Sequence, residues 1–167
     1  MASILHLEQP LAPVYDAESR ILILGSFPSV KSRQSGFYYG HPQNRFWPLL
    51  ARLLQTAAPT TIAEKQALLL RHRIALWDTL ASCSIMGSCD SSIQDTVPSN
   101  LQPILRQAAI RQIFVNGQAA ARFYRRYQQP LTGLTAIRLP STSPANAAWT
   151  FDRLCEAWSV LLPYLKD

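Results

Sequence analysis

Cysteine is scarce in this chain, which has only three among 167 residues, at Cys83, Cys89 and Cys155. Three thiols with no Cys-x-x-Cys spacing cannot supply the four closely spaced ligands of a structural zinc site. They also fall short of the four thiolates that an iron–sulfur cluster requires. We therefore expect buried, reduced cysteines and no bound metal.

Long apolar runs and glycine-rich phosphate loops are also missing. No segment approaches the roughly 20 apolar residues of a membrane span. The first residues, MASILHLEQPLAP, have no basic stretch before their apolar patch and contain Glu8, so they do not resemble a secretory signal. We expect a cytoplasmic protein with no membrane partner. The lack of a glycine-rich phosphate signature disfavours ATP-type chemistry.

Lysine is rare as well, whereas arginine is common. The chain has 3 lysines and 13 arginines against 10 acidic residues, which gives a formal net charge of +6. Arginine suits bidentate contact with phosphate, and a basic balance favours nucleic acid. A basic protein without a polyanionic partner fits the charge equally well. The cluster Arg122, Arg125 and Arg126 has the same two interpretations, a solvated helix face or a DNA contact.

The hydrophobic pattern predicts one α/β domain over residues 1–167. With 48% hydrophobic and 16% charged residues, the composition is that of a globular protein. Apolar segments at 21–24, 74–77, 113–115 and 134–139 read as strands, with helices expected at 46–55, 61–71, 101–109 and 118–127 and after Asn146 or Thr150. Residues 82–97 read as a loop. Strands separated by helices favour a three-layer α/β/α sandwich around a short, mostly parallel, four-stranded sheet.

The most informative stretch follows the first strand. A Gly25-Ser26-Phe27-Pro28 turn leads through a polar, aromatic loop into His41-Pro42-Gln43-Asn44-Arg45-Phe46-Trp47. This arrangement resembles the first motif region of the uracil-DNA glycosylase superfamily, in its mismatch-specific branch. The catalytic Asn of that branch falls on Phe27. The GSFPS turn, followed by Tyr-Tyr-Gly-His-Pro-Gln-Asn, resembles the hypoxanthine-DNA (deoxyinosine) glycosylases of the same superfamily, in which Asn44 is the position that matches the essential Asn.

The resemblance implies a monofunctional DNA glycosylase that removes a deaminated base, with hypoxanthine as the favoured base, and leaves an abasic site. It implies double-stranded DNA as partner, a monomer, and no metal or organic cofactor. Three alternatives stay open: a mismatch-specific uracil or thymine glycosylase, a catalytically silent DNA-damage-binding module, and a nucleotide or nucleoside hydrolase.

Within the first motif, Asn44 is the candidate catalytic residue, by orienting water or the base, although it fits a helix cap equally well. Tyr39 is the candidate for stacking on a flipped base, with Tyr38 and Phe37 as alternatives and core packing as the structural explanation. The other base-pocket candidates are Ser26, Phe27, Pro28, Gly40, His41 and Asn116. Asp78 and Asp90 are acidic candidates, for which a cap and a turn are the respective structural explanations.

A second motif, Leu139-Pro140-Ser141-Thr142-Ser143-Pro144-Ala145-Asn146, resembles the loop that enters the duplex in the same superfamily. Small hydroxyl side chains can bond phosphates with little bulk. Pro144, Ala145 or Asn146 would fill the gap left by the flipped base. The DNA-binding candidates are Lys31, Ser141, Thr142, Ser143, Pro144, Ala145 and Asn146.

Overall fold

The computed structural model describes residues 3–86 and 89–166. This part of the chain forms seven strands in two sheets. They are β1 (Ile4–Glu8), β2 (Ile21–Gly25), β3 (Ile74–Asp78), β4 (Leu80–Met86), β5 (Gln94–Pro98), β6 (Gln112–Asn116) and β7 (Ala136–Leu139).

The central sheet has the order β3-β2-β6-β7, and all three pairings are parallel. Strand β2 is apolar from Ile21 to Leu24 and fully buried, because helices cover both faces of the sheet. The prediction of an α/β fold with a four-stranded parallel sheet is therefore confirmed. Because parallel strands end on the same side, Gly25 pairs with Asp78 and Asn116 pairs with Leu139 at one edge.

Among the described residues, seven α-helices connect and cover these strands. They are α1 (Val30–Ser35), α2 (Phe46–Leu53), α3 (Ile62–Arg71), α4 (Gln102–Gln107), α5 (Gln118–Phe123), α6 (Gln129–Thr132) and α7 (Phe151–Trp158). Thr61 and Thr150 cap α3 and α7, as their hydroxyls accept hydrogen bonds from the backbone N–H groups of Glu64 and Arg153. All described helices are too short or too polar to span a bilayer.

The expectation of a loop at residues 82–97 is wrong. Strands β4 and β5 occupy most of this segment and form an antiparallel sheet with β1, in the order β1-β4-β5. Strand β4 is rich in Ala and Ser, which have weak strand preference, and its pairing of Ile4 with Met86 joins distant parts of the sequence. The loop after Pro28 also contains the unexpected helix α1, which Ser29 caps.

Two apolar clusters hold the layers together. Trp158, Phe46 and Phe114 are fully buried on one side of the central sheet, where α2 and α7 pack. Tyr124, Ile104 and Leu24 pack on the other side with α4 and α5. The helix expected from residue 118 to 127 is interrupted by a π-helical segment, Tyr124–Gln128, before α6.

Candidate active site

Two adjoining cavities lie at the carboxyl edge of the central sheet. The inner cavity has a volume of ≈ 140 Å³ and the outer groove ≈ 660 Å³. They share Asp90, Asn116, Ser141 and Ser143, so the inner cavity opens into the groove. The inner cavity is lined by Gly25, Ser26, Phe27, Pro28, Ser29, Ser32, Tyr38, Tyr39, Asn44, Asp78, Asp90, Asn116, Ser141, Thr142 and Ser143.

The turn after β2 forms one wall of the inner cavity. The Ser26 hydroxyl donates a hydrogen bond to Asp90 Oδ1 at 3.1 Å. Phe27 lines the cavity and also packs with Leu80 and Phe123 beneath the antiparallel sheet, so it serves both as wall and as core residue. Burial raises the pKa of Asp90, while Ser26 and the charge of Arg122 lower it.

Asn44 lies at the start of α2 and lines the inner cavity. Its Oδ1 accepts a hydrogen bond from the Phe46 backbone N–H at 2.9 Å, so Asn44 caps the first N–H group of α2 from one residue before the N-cap position, which is Arg45. This bond also fixes the orientation of the amide, because a backbone N–H needs the oxygen as its acceptor. The Nδ2 group has no hydrogen bond with the described residues and is left as a donor at the cavity. Capping and a role in catalysis are therefore compatible.

Tyr39 has a strained backbone and a buried hydroxyl. Its φ of 53° lies in the left-handed region, which a bulky residue rarely adopts. Its ring stacks on Phe46 with a centroid distance of 4.1 Å, so one face is already covered. Burial, followed by the charge of Asp78, raises the pKa of the phenol. The Asn116 amide lies close enough to lower this pKa, but no Tyr39 hydroxyl bond to the described residues meets hydrogen-bond geometry.

The two other aromatic candidates for stacking belong to the core. The Tyr38 hydroxyl donates to the carbonyl of Ala12 at 2.8 Å, and its own carbonyl accepts from Trp47 Nε1 at 3.0 Å. Phe37 stacks on Trp47 and is 5% exposed. These contacts leave Tyr39 as the best placed of the three to meet a base.

Asp78 ends β3 and is 3% exposed. Its Oδ2 accepts a hydrogen bond from Gln9 Nε2 at 2.8 Å. Burial raises the pKa of this carboxyl to about 7, and the charge of Asp90 adds to the effect while the Gln9 bond opposes it. Any side chain at Gly25 would collide with Asp78 Oδ1, which accounts for glycine at the end of β2.

Arg45 connects the two sequence motifs. Its guanidinium donates to the carbonyls of Ser143 at 2.8 Å, Asn146 at 3.1 Å and Trp149. Its backbone N–H donates to the Thr142 carbonyl at 3.1 Å. The loop at residues 141–149 is thus held against the start of α2. Sequence analysis missed this role, although an arginine inside the first motif was a signal for it.

Asn116 also positions this loop. Its Oδ1 accepts from the Thr142 backbone N–H at 3.2 Å, and its Nδ2 donates to Thr142 Oγ1 at 3.1 Å. Thr142 is 0% exposed. Both the oxygen and the nitrogen of the Asn116 amide therefore bond to the second motif, although the residue lines both cavities.

The sequence is similar to a known protein family and to proteins from two archaeal species. The profile of the Uracil DNA glycosylase superfamily matches residues 12–162. The chain belongs to the uracil DNA glycosylase superfamily. A hypoxanthine DNA glycosylase of Methanosarcina acetivorans is 34% identical over 148 residues, covering 86% of this chain and 90% of the relative. One of Methanosarcina barkeri is 32% identical over 119 residues, covering 70% and 75%.

The fold agrees with a solved member of this superfamily. A solution NMR structure from M. acetivorans, described provisionally as a uracil DNA glycosylase, has a TM-score of 0.82 and 30% identity. The match covers 99% of this chain and 100% of the other. The resemblance deduced from the two motifs is therefore confirmed over the whole described fold.

Three predicted site residues make local hydrogen bonds. The Gly40 N–H donates to Ser32 Oγ, and His41 Nδ1 accepts from the Gln43 N–H in a turn; neither residue is in the described lining of the two cavities. The Thr142 side chain lines the inner cavity and accepts a hydrogen bond from the Asn116 amide. The roles of Gly40 and His41 in the base pocket and of Thr142 in DNA binding stay predictions.

Four of the second-motif candidates line the groove. Ser141, Ser143, Ala145 and Asn146 line it, together with Arg122 and Arg138. Pro144 and Lys31 are outside the described lining of both cavities, and Lys31 is exposed on α1. Arg138 was missed because it alternates with apolar residues in β7. The described residues contain no group of three metal-ligating side chains.

Proposed function

We propose that this chain is a monofunctional DNA glycosylase that removes hypoxanthine from double-stranded DNA and leaves an abasic site. The observation that carries the proposal is the small cavity with the Asn44 amide at its wall, which opens into a groove lined by Arg122 and Arg138. The names of the two Methanosarcina relatives support hypoxanthine as the base. We propose that the protein acts as a monomer.

Hydrolysis here requires a few oriented polar groups. The bond from C1′ to the base nitrogen breaks with its electron pair going to the base, and the sugar passes through an oxocarbenium-like state. Water then adds to C1′ and loses a proton to the base or to solvent. A weak nucleophile is enough for such a cation, so orientation of water by Asn44 Nδ2 is a sufficient role for this residue.

The outer groove is suited to the DNA backbone. Arg122 and Arg138 supply positive charge, and the Ser141 and Ser143 hydroxyls can donate to phosphate oxygens. Ala145 is exposed on the loop that Arg45 fixes, where it can enter the gap left by an extruded nucleotide, whereas the Asn146 amide donates back to the Ser141 carbonyl at 3.0 Å.

The first prediction is release of hypoxanthine from duplex DNA with a chelator present. End-labelled duplexes carrying hypoxanthine, uracil, xanthine or a thymine mismatch would be incubated with the protein and then treated with alkali. We expect cleavage at hypoxanthine, unchanged by EDTA because the described side chains offer no metal site. Release of uracil but not hypoxanthine would favour the mismatch-specific branch, and release of no base would favour a silent DNA-binding module.

The second prediction is that the DNA strand stays intact until alkali or heat is added. Strand cleavage by the enzyme would need an amine that forms a Schiff base with the sugar. Lys65 lies over the Trp47 ring at 5.4 Å, Lys166 is close to the C-terminus, and Lys31 is exposed outside both cavities. Borohydride trapping should therefore give no covalent protein–DNA species. A trapped species that Lys31→Ala abolishes would contradict this and make the enzyme bifunctional.

A further inference from the structure

The inner cavity contains a buried carboxyl that the proposed hydrolysis does not use. Gln9 determines which oxygen of Asp78 is free. Gln9 Oε1 accepts from the Leu11 backbone N–H at 3.0 Å, so its Nε2 is the group that donates to Asp78 Oδ2. Oδ2 is thus held as an acceptor. Oδ1 has no hydrogen bond with the described residues and packs over Gly25.

The surroundings of Asp78 favour the protonated carboxyl. The titratable groups that interact with it are Tyr38, Tyr39 and Asp90, none of which is a cation. No described lysine, arginine or histidine forms an ion pair with it. Because a buried carboxylate without a cation is unfavourable, the proton is retained up to a pH of about 7. It is carried by Oδ1, since Oδ2 accepts from Gln9.

A second donor lies beside this carboxyl. A side chain built at Gly25 would meet both Asp78 Oδ1 and the Tyr39 hydroxyl, so the two oxygens share one side of the cavity. The Tyr39 hydroxyl is buried and has no partner among the described residues. A buried donor without a partner is costly, and a ligand acceptor at this point would satisfy it.

Deamination changes the base at an exocyclic position that hydrogen-bond donors such as Asp78 and Tyr39 can distinguish. It replaces an exocyclic amino group with a carbonyl oxygen, a donor with an acceptor. We infer that Asp78 Oδ1–H, with the Tyr39 hydroxyl beside it, donates to the carbonyl oxygen of the extruded base and so selects the deaminated base over its amino parent. This inference rests on the proposed glycosylase function. An amino group would face donors and leave them unsatisfied, which is a strong basis for rejection.

The same bond favours departure of the base. As the glycosidic bond breaks, its electron pair is delocalised onto the carbonyl oxygen. A hydrogen bond to that oxygen therefore strengthens in the transition state, and this is the condition under which an interaction raises the rate. Ionised Asp78 would present a negative charge to the same oxygen and would oppose the reaction.

Asp78→Asn tests this role, because the amide oxygen can replace Oδ2 opposite Gln9 and the amide N–H₂ then replaces Oδ1–H. Single-turnover rates on a hypoxanthine duplex would be measured from pH 5.5 to 9. We expect the wild-type rate to fall about tenfold per pH unit above pH 7, as the neutral form is lost. We expect Asp78→Asn to lie within about tenfold of wild type at pH 6 and to stay flat. Asp90→Asn should retain the fall.

A flat or rising wild-type profile through pH 7, or an Asp78→Asn profile that repeats the wild-type fall, would overturn the inference. No hypoxanthine release by the wild type at any pH would instead contradict the proposed function.

Thermal unfolding tests the protonation state of Asp78 independently of activity. Because folding raises the pKa of Asp78 to about 7, the wild type should lose stability as the pH rises from the ordinary carboxyl pKa of 3.8 to about 7. Asp78→Asn should have a higher Tm than wild type at pH 8 and an equal one near pH 4, and equal Tm values at both would contradict a neutral carboxyl.

A change of substrate distinguishes direct contact between Asp78 and the base from a purely structural role of Asp78. A duplex with 2′-deoxynebularine presents a purine that has hydrogen in place of the 6-oxygen. Asp78→Ala should lower the hypoxanthine rate by about 10² or more but the nebularine rate by much less, because the missing oxygen has already removed the bond. Equal losses on the two substrates would show that Asp78 acts only through the fold.

Discussion

Replacing Asn44 with alanine is expected to lower the single-turnover rate of hypoxanthine release by about 10² or more, as for the loss of one preorganised polar group in an active site. The reason is the Nδ2 group, which is the part of the amide left for the cavity after Oδ1 has bonded the Phe46 N–H. The cap itself contributes about 1 kcal/mol, so the variant should remain folded. Rates at saturating enzyme and thermal unfolding would be measured on the same preparation.

The matched control is Asn44→Ser. A serine hydroxyl can accept a hydrogen bond from a backbone N–H two residues on, so it retains the cap without the Nδ2 donor. We expect this variant to recover the Tm lost by Asn44→Ala while its rate stays low. If Asn44→Ser restored both stability and rate, capping alone would account for the residue, and another group would have to orient the water.

The parallel sheet could be predicted from sequence because its strands are short apolar runs. Residues 21–24 and 74–77 are apolar throughout, and each run is followed at once by a polar or turn-forming residue. The antiparallel sheet could not be predicted in this way. Its outer strands, β1 and β5, are exposed along much of their length, and β5 contains Asp95 and Pro98, which are rare in strands. Pairing with distant segments stabilises it, and a local pattern does not carry that information.

The candidate site was predictable to the extent that the two motifs are continuous in sequence. The turn at residues 26–28 follows β2, and Asn44 lies just before α2. Both are at the carboxyl edge of the central sheet, so they meet at one cavity. Asp78 could be recognised as a strand-end acid, but its bond to Gln9 depends on a segment 69 residues away. The bond from the Gln43 N–H to His41 Nδ1 could not be predicted, because a Gly-His-Pro turn gives no indication of which way the ring faces.

Replacing Arg45 with alanine is expected to have the largest effect on stability of the changes considered. Its guanidinium donates to four separate backbone carbonyls in the loop after β7, those of Thr142, Ser143, Asn146 and Trp149. Hydrogen bonds from a charged donor contribute about 1.5–3 kcal/mol each, and solvent would take over part of the exposed ones, so we expect a loss of about 3 kcal/mol. Arg45→Lys should recover little, because an ammonium cannot reach four diverging carbonyls as a planar fork does.

Arg52→Ala is the control for removing an arginine from the same region. Arg52 pairs with Asp152 at 2.8 Å, but the two side chains are 57% and 82% exposed. An ion pair this exposed contributes at most about 1 kcal/mol, so Tm should change little.

The two variants would be compared by thermal unfolding, by KM for a hypoxanthine duplex and by amide hydrogen exchange over residues 141–149. Because the loop that Arg45 fixes faces the groove, Arg45→Ala should raise KM and accelerate exchange in that loop, whereas Arg52→Ala should do neither. Unchanged exchange in Arg45→Ala would mean that the loop keeps its shape without the guanidinium, and its position would then have to depend on the bonds between Asn116 and Thr142.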